Sequence, residues 1–328
     1  MARRTKKQNQ KKGKSPKSIL LACVALILAV AGVNQVWKYS TADTLPSESS
    51  AGRPSTSSAD RNRLFAEQEA KEQREAERRK LNETDAPDEG LSRTAYENLE
   101  QPAELSNRDE VLIFKKQFIV SYNIKRLCPT YVCWSLTRER AESEECKRSD
   151  KFEEDMIISD RSRVQTSDYS NSGYDRGHMC PAADNRNDED AMRQSFLMTN
   201  ICPQSHSLNA GAWKELEEFC RDWARDYGTL YICCGPIFDR ATPKTIGNRT
   251  GIKISVPDRF FKVLLYMGRE PKAIGFIYAN ERCDKDIREY AVSVDEVEQA
   301  TGMDFFYQLD DKVEKAIESR CKPADWGL

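Results

Sequence analysis

Histidine is nearly absent from this chain: 328 residues hold two, His178 and His206. That scarcity excludes multi-histidine metal centres. It also confines imidazole proton chemistry near neutral pH to two positions. The eleven cysteines include no Cys-x-x-Cys pair, which argues against a zinc cluster. An excess of positive charge is lacking too. From Ser106 to Leu328, 33 Lys and Arg face 38 Asp and Glu, a net of −5 with His neutral. Such a body is no general binder of polyanions; nucleic acid would need a local cationic strip, and binding would weaken sharply with salt. No internal repeat is visible. Arg61 to Leu81 is rich in Glu, Arg, Lys, Gln and Ala, but only Leu64, Phe65 and Leu81 offer substantial apolar contacts. A sustained heptad seam is therefore missing, and a solvated helical stalk is the expectation.

One long apolar run is present. Met1 to Ser18 carry eight Lys or Arg and no acid, and Ile19 to Val33 follow as fifteen strongly apolar residues. A bilayer core needs about 20 helical residues, a length reached only with the flank to Trp37. Two readings stay open: a retained signal-anchor over 19–37 behind a cytoplasmic leader at 1–18, or a signal peptide cleaved after Ala29-Val30-Ala31. Both place the remainder outside the membrane, periplasmic or extracellular. Cys23 lies inside the apolar run; the other ten cysteines form an even set, so disulfides are expected, with their pairing open. Residues 38–105 read as a linker carrying the stalk, and 106–328 as the folded domain.

Within that domain, β-rich segments recur at Phe118–Tyr122, Tyr131–Leu136, Phe196–Ile201, Thr229–Cys234, Lys253–Val256, Phe260–Tyr266 and Ala273–Tyr278. Ala212 to Tyr227 has helical periodicity through Trp213, Leu216, Phe219, Cys220 and Trp223, with Trp213 expected in the core. A later helix should start at Ser293, capped by its hydroxyl with Glu296 in capping-box position. The class is α+β, a central sheet with helices on it.

The chemistry concentrates in Gly173-Tyr174-Asp175-Arg176-Gly177-His178-Met179. Arginine is a permanent cation whose fork matches phosphate oxygens, and histidine suits proton transfer. Two residues apart on a strand, Arg176 and His178 share a face. Further on, Asn209 and Glu217 lie about a helix N-terminus and offer oxygen ligands suited to a hard cation such as Mg²⁺. His206 sits in a polar loop and is expected to be incidental.

The Asp175–His178 stretch DRGH, with Asn200 to Glu217 (NICPQSHSLNAGAWKELE) and Gly302 to Phe306, resembles the DNA/RNA non-specific endonucleases, the ββα-metal nucleases. The resemblance runs roughly from Val111 to Leu309 and implies a central, mainly antiparallel sheet flanked by helices. It implies roles as well. His178 would be the general base, Asn209 the direct protein ligand to one Mg²⁺ (Mn²⁺ as a substitute), and Arg176 the group that compensates charge on the scissile phosphate. Glu217 would hold a water on the metal, and Asn200 would help shape the site. DNA and RNA are the implied partners, with the membrane through the N-terminal segment and a homodimer as a candidate assembly. Many relatives carry Asn-Gln where this chain has Asn209-Ala210. A further phosphate-contacting arginine is implied upstream, with Arg148, Arg161 and Arg163 as candidates. Two competing readings are a catalytically silent extracellular nucleic-acid-binding module and an envelope protein whose stalk is the functional part.

Overall fold

The protein is described by a computed structural model over residues 98–105 and 110–328. The basic leader, the apolar run at 19–37 and the stalk lie outside the described residues. No helix among the described residues is long and apolar enough to cross a membrane.

In chain order the elements are β1 (Glu110–Phe114), β2 (Ile119–Asn123), β3 (Cys128–Thr137), α1 (Arg138–Glu142), β4 (Asp175–His178), α2 (Glu189–Ser195), β5 (Ile201–Gln204), α3 (His206–Asn209), α4 (Ala212–Tyr227), β6 (Thr229–Ile237), β7 (Thr245–Ile246), β8 (Ile254–Ser255), β9 (Arg259–Tyr266), β10 (Lys272–Ala279), β11 (Ala291–Val292), α5 (Val294–Thr301) and α6 (Asp311–Glu318). Seven strands form one sheet in the order β1-β2-β3-β6-β9-β10-β11, and each neighbouring pair is antiparallel. The α+β expectation holds.

The inner strands alternate with period two, so each feeds two cores. Leu230, Ile232 and Cys234 of β6, with Phe260 and Leu264 of β9, face α4; Tyr231, Cys233, Phe261, Val263 and Leu265 face the opposite layer, where Val294, Val297, Met303, Phe305 and Phe306 pack. Leu99 is buried in that second core, and the Ala103 N–H donates to the Asp304 carbonyl, so residues 98–105 belong to the packed body. Helix α4 buries Ala212, Trp213, Leu216, Cys220, Trp223 and Ala224 along one stripe. It ends at Gly228, whose φ of 105° is ground that side chains disfavour. Ser293 caps α5, accepting from the Glu296 N–H while the Glu296 carboxylate accepts from the Ser293 N–H.

Two expectations are corrected. The apolar stretch Phe196–Ile201 is not a strand: Phe196 caps α2, Met198–Asn200 is a 3-10 turn, and only Ile201 begins β5. A short apolar run marks burial and leaves the backbone shape open. Disulfides are absent from the described residues: all ten cysteines from Cys128 to Cys321 are free, and eight of them are buried. Cys133 and Cys233 are partners across β3 and β6, yet burial pushes both thiols well above their ordinary range. A neutral buried thiol behaves as a small apolar core group, not as the thiolate that disulfide formation needs.

Candidate active site

A two-stranded ribbon, separate from the main sheet, carries the site. β4 pairs antiparallel with β5, placing Arg176 opposite Pro203, Gly177 opposite Cys202 and His178 opposite Ile201. Gly177 is needed there because a Cβ would overlap the Gln204 side chain. Arg176 and His178 therefore emerge on one face, and both line an open cleft of about 600 Å³ with Asn209 and Glu217. The body is net acidic, but this cleft is lined by four cations, Arg148, Arg176, Lys214 and Arg221, against two acids, Asp175 and Glu217. The lining therefore has a local excess of positive side chains, although Arg221 is paired with Asp184 and Lys214 with Glu218.

His178 is clamped by aromatic rings. Phe152 lies 5.3 Å from it, tilted, and Phe196 lies 4.7 Å away edge-on. Its Nε2 is buried with no hydrogen-bond partner. Burial, helped by the charge of Arg148, pulls its pKa down to about 3, so the imidazole is neutral at physiological pH. Arg176 stacks its guanidinium 5.2 Å from the Phe152 ring and donates Nη2 to the Thr166 carbonyl at 3.2 Å; its Nε is buried and unpartnered. One ring thus packs against both His178 and Arg176.

Asn209 ends the short helix α3. Its Nδ2 donates to Asp175 Oδ2 at 2.9 Å, which leaves the side-chain carbonyl oxygen free of that bond. A carboxylate accepts and cannot donate, so this contact fixes the amide orientation. Asp175, the first residue of DRGH, thereby orients Asn209, a role not read from the sequence. The same Oδ2 lies 2.8 Å from His206 Nδ1, at the exposed margin. Glu217, one turn into α4, makes no hydrogen bond among the described residues. Burial raises its pKa to about 7, against the pull of Lys262 and Arg221. An oriented amide oxygen and an uncommitted carboxylate on one cleft suit a hard divalent cation that keeps several waters.

Asn200 does not reach the cleft. It is fully buried and wholly engaged: Nδ2 donates to the Cys180 and Ser195 carbonyls at 2.9 and 2.8 Å, and Oδ1 accepts from the Cys180 N–H at 3.0 Å. It fixes the chain leaving His178 and is a scaffold group rather than a catalytic one. Of the three upstream arginines only Arg148 lines the cleft. Arg163 is turned to Asp160 and the Ile158 carbonyl. Trp213 packs beneath the site, 5.6 Å from Phe260 and 6.4 Å from Tyr278.

Beneath Glu217 lies a residue that no motif signals. Lys262 of β9 is completely buried, its Nζ lacks a hydrogen-bond partner, and it sits 4.5 Å from the Trp213 ring and 5.4 Å from that of Trp134. Burial opposes its charge, but Cys234, Cys220, Glu217 and Asp184 around it outweigh that and hold its pKa above the ordinary lysine value. Alternation gave one signal: Phe260, Lys262 and Leu264 share the inward face.

Two short antiparallel strands followed by a helix, with histidine on the first strand and an amide and carboxylate around the helix start, define a ββα-metal nuclease. Residues 96–312 match the DNA/RNA non-specific endonuclease family, and the chain belongs to it. It is accordingly a hydrolase, a DNA/RNA endonuclease. It is 33% identical over 224 residues to a nuclease of Nostoc sp., covering 65% of this chain and 79% of that one. It is 29% identical over 204 residues to human mitochondrial endonuclease G, covering 58% of this chain and 68% of that one. A solved complex of EndoG with its inhibitor EndoGI superposes with a TM-score of 0.57 at 28% identity, over 61% of this chain and 87% of that one.

Proposed function

We propose that the cleft is a Mg²⁺-dependent, sugar-non-specific endonuclease site, with Mn²⁺ as a substitute. The observation that carries the reading is the Asp175–Asn209 bond, which turns the amide oxygen loose beside Glu217, His178 and Arg176. Asn209 would hold the ion with Glu217 beside it, and the ion would supply positive charge where the leaving oxygen becomes negative. His178 takes a proton from water as that water attacks phosphorus in line. The P–O3′ bond breaks, leaving a 5′-phosphate and a 3′-hydroxyl whose proton comes from solvent. Arg176 and Arg148 compensate the phosphoryl oxygens. The depressed pKa of His178 belongs to the free protein. A bound phosphodiester beside Arg148 offsets the smaller of the two causes and moves the imidazole pKa upward, with burial still the larger effect.

Cleavage of supercoiled DNA and of single-stranded RNA tests this reading. Both activities should vanish with EDTA and return with Mg²⁺. Binding without cleavage in Mg²⁺ and Mn²⁺ would instead establish a silent binding module.

Lys262 should set where Glu217 ionises. With Glu217 near 7 in the metal-free protein, Mg²⁺ binding, and with it kcat/KM at sub-saturating Mg²⁺, should rise with pH through about 7 as the carboxylate forms. Lys262 lowers that pKa. Lys262→Met, a change that keeps volume, should therefore move the acid limb alkaline by about one unit and leave the plateau near wild type. An unmoved limb in a folded variant would remove Lys262 from the account.

The basic leader and the apolar run at 19–37 support membrane attachment with the domain outside; the free cysteines add nothing to that reading. The exposed apolar residues of edge strand β1, Val111, Leu112 and Phe114, support a homodimer across that edge.

A further inference from the structure

On the sheet face opposite α4, helices α5 and α6 bring three carboxylates together. Asp295 and Glu298 stand three residues apart on α5, and Glu318 is the last residue of α6. One oxygen from each lies within 4.8 Å of the others. Glu318 is 4% exposed, and its Oε1 is buried with no hydrogen-bond partner. Among the described residues no lysine or arginine pairs with any of the three. Glu298 accepts one backbone bond, from the Phe305 N–H at 2.8 Å.

Most of the surroundings oppose bare anions here, although Asp295 in the first turn of α5 and the Phe305 N–H bonded to Glu298 favour them. An acid at the C-terminal end of a helix meets the negative pole of the dipole. Asp304 and Glu314 add further negative charge, and burial together with these neighbours pushes Glu318 up to about 9 and Glu298 to about 7. A buried, unpaired carboxylate next to two others is retained at a cost unless a positive charge belongs there.

We propose that Asp295, Glu298 and Glu318 form a Ca²⁺ site, separate from the nuclease cleft, that ties α5 to α6. The donor set is all carboxylate oxygen, which selects a hard cation. Oxygens on opposite sides of Ca²⁺ are at most about 4.6–5.2 Å apart, twice its bond length, whereas Mg²⁺ demands about 4.0–4.2 Å. Three oxygens no more than 4.8 Å apart meet the calcium limit, and a set of three carboxylates suits Ca²⁺, since Mg²⁺ is ordinarily held by roughly one or two carboxylates with water completing its shell. Exposed Asp295 leaves one side open to the waters that complete a shell of six to eight oxygens. No step of phosphodiester cleavage uses this site; its role is to hold the closing helices on the sheet.

The test is thermal unfolding of the full chain after chelation, with CaCl₂ or MgCl₂ added back. Ca²⁺ near 100 times its Kd should raise the melting temperature by about 5–10 °C, and Mg²⁺ by less. Asp295→Asn and Glu298→Gln should lose the calcium shift while still cleaving DNA in Mg²⁺. Asn209→Ala should keep the shift, which separates this site from the cleft. Glu318→Gln, which removes the cost of protonating a buried carboxyl on folding, should melt higher than the calcium-free wild type at neutral pH. A wild type indifferent to Ca²⁺, as a cluster held by shared protons would be, overturns the proposal. So does a shift that survives in Asp295→Asn and Glu298→Gln.

Discussion

His178→Ala is expected to lower DNA and RNA cleavage by about 10²–10⁴-fold, the usual contribution of a positioned general base. His206, the other imidazole, is hydrogen-bonded to Asp175 at the exposed margin and does not line the cleft. Among the described residues no second imidazole lines the cleft, and Glu217 is occupied beside the ion in this reading. The fold should survive, because Phe152 and Phe196 still pack edge to face at 5.1 Å without the histidine. The pH dependence follows from the depressed pKa. A histidine neutral when folded but titrating near 6.5 when unfolded penalises the native state as pH falls from about 6.5 toward 3. That penalty is absent above 6.5. Wild type should thus lose stability over this window more steeply than His178→Ala, as read by melting temperature against pH. A folded His178→Ala protein that cleaves at the wild-type rate would remove the histidine from the mechanism.

Asp184→Ala should destabilise the protein by about 3–5 kcal/mol, a large share of the total for a domain. Asp184 is 1% exposed and accepts from Arg221 Nη1 and Trp134 Nε1, both at 3.1 Å. Its backbone carbonyl accepts from Arg140 Nε and Nη2. Truncation leaves a nearly buried guanidinium without its anion and a buried indole N–H without an acceptor. Asp184→Asn, which keeps an acceptor for Trp134, should cost less. Urea unfolding measures both; equal stability of Asp184→Ala and wild type would show that Arg221 finds other compensation. The same pair steadies α4 one turn beyond Glu217, so structure and site are coupled here.

Much of this was legible in the residues. Period-two patterns located the inner strands, because β6 and β9 pack on both faces and keep β-rich runs. The α4 stripe was clear because a half-buried helix must repeat every 3.6 residues. DRGH placed Arg176 and His178 together through strand alternation alone. What was missed depends on contacts between distant segments. Nothing in the chain says that Asp175 bonds Asn209 34 residues later, or that Arg148 rather than Arg161 turns into the cleft. Lys262 hid because lysine within a β-run reads as an outward residue; its alternation with Phe260 and Leu264 was the one contrary sign, and the packing of Trp134 and Trp213 shows the burial. The cysteines misled for a physical reason: their number suits an oxidising compartment, yet eight of them serve as buried apolar groups.

The most direct measurement is a Mg²⁺ titration of plasmid nicking by chelated wild type and Asn209→Ala. Loss of a group that merely orients a metal ligand costs about 10–100-fold, so loss of the ligand itself should exceed that at any fixed Mg²⁺ concentration. The account predicts a folded Asn209→Ala protein whose cleavage is at least 10²-fold weaker, recovering in part only at high Mg²⁺. Superimposable titrations for the two proteins would contradict the assignment of this cleft as the metal-assisted site.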